Sequence, residues 1–374
     1  MMKKLLYKLF AFINWLIPKN KNQIIFYSSF GFEDNARAYY EYLVINAKEK
    51  FKIVWAFEKE KYSTIPGCIS VKYPSFRCMW HYMRSKTIFE THSFFGKNYN
   101  NKKQTLIYAL HGMPFKGSSV LDKKEKMHQK NMIGVSTSQI FDDSLVELVG
   151  IPRDKIYHIG LPRNDYLFKD TDILEKLNIN NYNKIILWMP TFRTVKNKYN
   201  DGVITQFGIP LIEESDLQSF EDILSKYNCL LIFKLHPWAA DNMCDLKKYN
   251  HIISLSNIDL KGYSLHSLIS KVDAMITDYS SIVIDYLLLD RPICFAFNDL
   301  EEYTRTRKLD FSRIDNFKCG YNTKTKEGLI SFIELVNKDI DNEKIIRKVT
   351  ANKCHKYKDG NTCQRLFELI KTFM

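Results

Sequence analysis

Short, strongly apolar runs recur along this chain at intervals of about one helix, and the stretches between them are amphipathic. Gln23–Tyr27 (QIIFY), Lys52–Phe57 (KIVWAF), Thr87–Thr91, Thr105–Leu110 and Met132–Ser136 form a first series, with a helix predicted over Asn35–Asn46. Lys184–Met189 (KIILWM), Cys229–Leu235 (CLLIFKL), Ala274–Thr277 and Pro292–Phe297 form a second. Runs this short, separated by helix-length segments, predict buried strands of parallel sheets joined by crossover helices. The fold class is therefore α/β, and two series predict two doubly wound, Rossmann-type domains facing across a cleft. The pattern places them at 21–168 and 169–340, after a distinct segment at 1–20. A helical tail at 341–374 is predicted to pack back on the first domain.

Composition narrows the picture. The 374 residues, 45% of them hydrophobic, suffice for two cores. The formal charge of +13 calls for an anionic counterpart: lipid, nucleic acid or a phosphorylated substrate. No uninterrupted apolar run reaches membrane-spanning length, so no transmembrane helix is predicted. In the opening MMKKLLYKLFAFINWLIPKN, Lys3, Lys4 and Lys8 precede an apolar stretch as in a signal peptide, but no A-x-A-like site follows. An interfacial amphipathic helix explains the same residues, with Phe10 and Trp15 inserted in lipid, the lysines on lipid phosphates and Pro18 as terminator. An ordinary packing helix is the alternative. The eight cysteines contain no CxxC, and HExxH is absent, so a reducing compartment and no metal are expected.

Three motifs carry candidate chemistry. LHGMPFKGSS (Leu110–Ser119) follows a strand, placing His111 where open α/β sheets bind ligands, with Lys116, Ser118 and Ser119 as phosphate-binding groups. Its Gly112-x4-Gly117 spacing is not a Walker A loop, because Ser118 stands where lysine is required. FKLHP (Phe233–Pro237) puts His236 at a second strand end. Two strand-end histidines suit proton transfer and phosphate contact, although a satisfied structural histidine is the alternative for His111. The third motif, DAMITDYSSIVIDYLLLDRPICF (Asp273–Phe295), reads as strand, turn, helix, strand. Ser280 and Ser281 would open the helix and leave backbone amides for an anion, and Asp285 would accept from ribose hydroxyls. Plain capping by Asp278 and the serines is the alternative. SSFGFEDN, GLPRND and MPTFR also follow strands and add Asn35, Arg163 and Arg193 as phosphate-binding candidates.

Together SSFGFEDN, LHGMPFKGSS, GLPRND, MPTFR, KLHP and TDYSSIVIDYLLLDRPICFAFNDLEEY, spanning Ser28 to about Tyr303, resemble the CDP-glycerol:poly(glycerophosphate) glycerophosphotransferase family of teichoic-acid and capsule synthesis. HGMP stands here where many members show HGTP. The resemblance implies a GT-B architecture, with donor nucleotide mainly on the second domain, and peripheral attachment to the cytoplasmic membrane face. It implies CDP-glycerol or a related CDP-polyol as donor and a lipid-linked or polymeric glycan as acceptor. By motif position His111 resembles the family's base and His236 its second essential histidine, near the donor pyrophosphate. Asp278, Ser280 and Ser281 resemble the donor-binding helix entrance. No cofactor is implied. A ribitolphosphotransferase or a sugar-transferring GT-B enzyme is the near alternative, and a basic membrane adaptor the distant one. No RNP-like, zinc-finger or basic-helix motif supports a nucleic-acid partner, and no GxGxxG supports a nicotinamide enzyme.

Overall fold

The computed structural model describes the chain except residues 1, 30, 60–63, 93, 95–101, 116–130, 192–208, 236–245, 256–257, 298, 302–303, 305–310 and 374. The side chains of residues 2–8 and 48 are likewise outside the description. The chain forms two compact units. One holds the described residues of Met1–Pro114, Leu121–Phe168 and Lys356–Met374; the other holds those of Phe115–Val120 and Lys169–His355.

The first unit is built on a seven-stranded parallel sheet of β1 (Asn20–Tyr27), β2 (Lys52–Phe57), β3 (Ile69–Lys72), β4 (Ser85–Glu90), β5 (Thr105–Tyr108), β6 (Met132–Ser136) and β7 (Ile156–His158). Their order is β3-β2-β1-β4-β5-β6-β7. The order reverses between β1 and β4, where Tyr27 lies in register with Glu90. Both sheet faces are covered, which is why the central strands read as continuous apolar runs rather than alternating ones. On one face Ile25, Val54, Ile88 and Leu106 pack with Tyr82 of α3 (Phe76–Arg84). On the other, Phe26 stacks on Trp55 at 5.6 Å and meets Tyr39 and Tyr40 of α2 (Asp34–Asn46). Truncating a core aromatic such as Phe26 to alanine would cost about 3–5 kcal/mol.

The N-terminal helix α1 (Met2–Leu16) belongs to this unit rather than standing apart. Asn14 is fully buried, donates to Gln104 at 2.8 Å and accepts from the Lys19 ammonium at 2.6 Å. Phe10, expected in lipid, packs instead near Tyr82 with ring centroids 6.2 Å apart. The opposite face exposes Leu9, Phe12, Trp15 and Leu16, each more than half accessible.

The second unit repeats the plan with β8 (Lys184–Met189), β9 (Cys229–Phe233), β10 (Ile252–Ser254), β11 (Ala274–Thr277), β12 (Ile293–Ala296) and β13 (Tyr321–Thr323), in the order β10-β9-β8-β11-β12-β13. All pairs are parallel and the reversal lies between β8 and β11. Ile186, Trp188, Leu231, Phe233 and Ile276 form its core with Phe220 and Leu224 of the helix Leu217–Tyr227. Cys229 and Cys294 are fully buried, as expected of small apolar fillers.

The tail divides. Lys344–Cys354 stays with the second unit, where Arg347, fully buried, pairs with Asp341 and with Asp290 at 3.4 Å. Thr362–Lys371 lies in the first, its opening amides on Thr362 and Cys363 both donating to the Asp165 carboxylate at 2.8 Å. That carboxylate at a helix start satisfies two amides that have no partner within the helix.

Candidate active site

In an open parallel sheet, ligands bind at the carboxyl ends of the strands where strand order reverses. In the first unit that point gathers the segments after β1, β4 and β5. The chain leaves β1, and α2 opens at Asp34 with φ of +67°, a left-handed backbone that aspartate tolerates better than most residues. One oxygen of Asp34 accepts from Nδ1 of His111 at 2.6 Å, and the other accepts from Nη1 of Arg163 at 2.8 Å. The same Nη1 donates to the His111 carbonyl at 3.0 Å. Asn35 completes the lock: its amide donates to the Leu110 carbonyl at 2.6 Å and its oxygen accepts from the Arg163 backbone at 3.0 Å. Three segments distant in sequence are thereby held to one geometry.

Exposure separates the roles. The Asp34 and Arg163 side chains are each 5% accessible, whereas the His111 side chain is 55% accessible. Burial alone would raise the Asp34 carboxyl; the Arg163 guanidinium and the His111 ring outweigh it and hold Asp34 far below the usual carboxylate range. An ionised Asp34 accepting from Nδ1–H places the lone pair of neutral His111 on Nε2. The unit thus presents an accessible imidazole held in one orientation by a buried carboxylate. Arg163 and Asn35, expected to bind phosphate or acceptor, instead support the His111–Asp34 pair from within the protein.

A second histidine stands beside this pair. His92, just beyond β4, shares a hydrogen bond of 2.9 Å between its Nδ1 and Thr91 Oγ1, and its ring centroid lies 5.9 Å from that of His111. Burial, then the neighbouring His111, push its pKa down to about 4. Neither Asp34 nor His92 was singled out from the sequence. The strand-end rule that marked His111 would have found His92, and Asp34 directly precedes Asn35 in SSFGFEDN. Met113 of HGMP is fully buried, its sulfur accepting from Ser136 Oγ at 3.5 Å, so this side chain fills core.

At the reversal point of the second unit, Asp278 follows β11 and is 1% exposed. Its carboxylate accepts from the Thr191 amide at 2.8 Å, the Thr191 hydroxyl at 2.5 Å and the Tyr279 amide at 2.6 Å. Asp278 therefore ties the end of β11 to the segment leaving β8. The expected serine capping is weak. Ser281 holds the N-cap position without a side-chain bond, and Ser280 Oγ meets the Ile282 amide only at 3.5 Å. Asp285 is fully buried and bonds His266 at 3.1 Å, so the ribose contact expected of it has no accessible surface in this structure. Lys116, Ser118, Ser119, Arg193 and His236 lie outside the described residues. Among the described residues no cluster of three His, Cys, Asp or Glu side chains is placed to hold a metal ion.

Two parallel sheets of this strand order, one carrying an acid-held histidine at its reversal point, define a GT-B-like α/β protein. The chain belongs to the CDP-Glycerol:Poly(glycerophosphate) glycerophosphotransferase family, whose sequence model matches residues 9–372. It is 31% identical over 227 residues to the teichoic acid glycerol-phosphate primase of Bacillus subtilis strain 168, a match covering 60% of this chain and 53% of that one. The match thus spans about half the length of that relative. A teichoic acid poly(glycerol phosphate) polymerase of Bacillus spizizenii W23 is 28% identical over 359 residues, covering 85% of this chain and 84% of its own. Among solved structures, the wall teichoic acid polymerase TagF superposes with a TM-score of 0.76 at 20% identity, over 98% of this chain and 92% of the other. That likeness establishes the fold.

Proposed function

We propose that the protein transfers glycerol phosphate from CDP-glycerol to a hydroxyl of a lipid-linked or polymeric cell-surface glycan, releasing CMP. The observation that carries this reading is the Asp34–His111 pair, an accessible ring oriented by a buried carboxylate at the reversal point of the first sheet. In the proposed step, Nε2 of His111 takes the proton of the acceptor hydroxyl as its oxygen bonds to the glycerol-bearing β-phosphorus. The bond from that phosphorus to the bridging oxygen breaks, and the bridging oxygen leaves on CMP. Family membership supports the donor, and the activities by which both relatives are named agree with it.

His236 and Arg193 are assigned the donor phosphates on their motifs, and Lys116, Ser118 and Ser119 the acceptor side. Ser280 and Ser281, partly exposed beside the Asp278 clasp, are assigned donor contact. A peripheral position on the cytoplasmic membrane face is supported by the apolar face of α1 and by Trp15, whose ring lies 4.9 Å from the Lys103 ammonium. Phe76 and Trp80 of α3 are also exposed. No helix among the described residues is long and apolar enough to cross a membrane.

CMP release separates the readings. Purified protein with a glycerol-phosphate-terminated acceptor should turn over CDP-glycerol. Preference for CDP-ribitol would move the assignment to ribitol phosphate, and turnover of a nucleotide sugar alone would overturn phosphotransfer.

A further inference from the structure

We propose that α1 and α3 form one lipid-docking face, on which Arg84 and Lys103 hold anionic phospholipid headgroups beside the indoles of Trp80 and Trp15. The proposal rests on the membrane reading above, names the headgroup chemistry of that contact and extends it to residues outside the N-terminal helix. Buried Gln104 ties the two helices together. It accepts from the Asn14 amide of α1 at 2.8 Å and donates to the Tyr82 carbonyl of α3 at 2.8 Å. Cations bridge the carboxyl ends of the same helices. Arg84 Nη1 donates to the Pro18 carbonyl at 3.1 Å, and the Lys19 ammonium donates to the Met83 carbonyl at 2.6 Å. Lys103 donates to the Trp15 carbonyl at 3.0 Å. The face is therefore built before any lipid arrives.

Charge sets this face apart. The carboxyl end of a helix offers cations only about half a negative charge, and three full positive charges gather here. No Asp or Glu occurs anywhere in residues 1–32, 61–89 or 91–121, the stretches that supply α1, α3 and Lys103. Burial, then the like charges of Lys103 and Arg84, push the Lys19 pKa down to about 8. Cations that repel one another are stabilised by an anion from outside. Their neighbours show where that anion lies. Each of two half-exposed indoles carries one of the cations: Lys103 stands 4.9 Å from the Trp15 ring centre and Arg84 stands 5.9 Å from that of Trp80. Beside the indoles, Phe12 and Leu16 of α1 and Phe76 of α3 are exposed. Apolar side chains bordered by tryptophan and then by cations match the order hydrocarbon, interface, phosphate in one leaflet of a bilayer. A membrane meets all three at once.

The test uses the full chain and flotation with phosphatidylcholine vesicles, with and without phosphatidylglycerol. At roughly fivefold per charge, the Arg84→Gln/Lys103→Gln double variant should lose about 25-fold in affinity for the anionic vesicles. Its weaker binding to phosphatidylcholine alone should not change. Arg84→Lys/Lys103→Arg keeps both charges and should bind anionic vesicles as the wild type does. Lys261→Gln, which removes an exposed charge from the second unit, should have little effect. Quenching by bromine-labelled phosphatidylglycerol gives a readout that needs no charge variant: Trp15→Phe should be quenched more than Trp15→Phe/Trp80→Phe, the difference being Trp80. Unchanged anionic binding in the double glutamine variant, an equal loss in Lys261→Gln, or no quenching of Trp80 overturns the proposal. Wild-type protein that floats equally well with both vesicles overturns the headgroup site and leaves the membrane position standing. Wild-type protein that floats with neither sinks both.

Discussion

Replacing Asp34 with asparagine isolates the central claim about the base. Asparagine tolerates the left-handed backbone that Asp34 adopts, so the main chain should keep its course. The structure then dictates which way the amide faces. Arg163 Nη1 can only donate, so the amide oxygen must take the place of the carboxylate oxygen 2.8 Å from it. The amide NH₂ is left facing His111 Nδ1, which lies 2.6 Å from the other oxygen in the wild-type protein. Nδ1 must now accept, the ring proton moves to Nε2, and the nitrogen that should take the acceptor proton no longer has a lone pair. Loss of general-base action is worth about 10²–10⁴-fold in rate. At 1.36 kcal/mol per tenfold, that is about 2.7–5.4 kcal/mol of transition-state stabilisation. The assay is CMP release from CDP-glycerol across a pH series, normalised to folded protein by circular dichroism, with donor affinity measured separately by titration. Tautomer loss lowers the plateau at every pH and leaves donor affinity unchanged. Turnover close to wild type, or full recovery on acidification, would refute the reasoning.

Two further outcomes test other parts of the structure. Changing Phe12, Trp15 and Leu16 together to serine removes the exposed apolar face of α1 while sparing the buried Asn14–Gln104 bond. At about 1.5 kcal/mol or more per large apolar side chain, flotation with phosphatidylglycerol vesicles should fall well over tenfold, and unchanged flotation would rule this face out as the anchor. Glu90 is buried at 1% exposure, and its carboxyl is pushed well above the ordinary range by that burial. Its stability contribution is present below the unfolded value, about 4.3, and is lost as pH rises. Glu90→Gln should therefore gain on wild type in chemical denaturation as pH is raised from about 5 to 8, and an advantage that does not change with pH would contradict it.

The central strands were legible from the chain alone because β1, β2, β4, β5 and β6, and β8, β9, β11 and β12, are covered on both faces and so carry continuous apolar runs. Of the strands at the four sheet edges, β3, β10 and β13 went unrecognised, and β7 entered only as the strand before GLPRND. Each is three or four residues long, too short to announce a period. The strand-end rule located His111 because it depends only on an apolar run and the residues just past its end. Asp34, by contrast, acquires its role from a ring 77 residues away and from Arg163, 129 residues away. No local pattern states such a meeting. The same holds for Asp285 and Arg163, whose polar character suggests ligand contact until packing encloses them. Helix, strand and buried face follow from neighbours along the chain, since backbone geometry repeats every two or 3.6 residues. Which polar side chain stays accessible, and which is enclosed and holds it in place, was decided only when the sheets brought distant loops together.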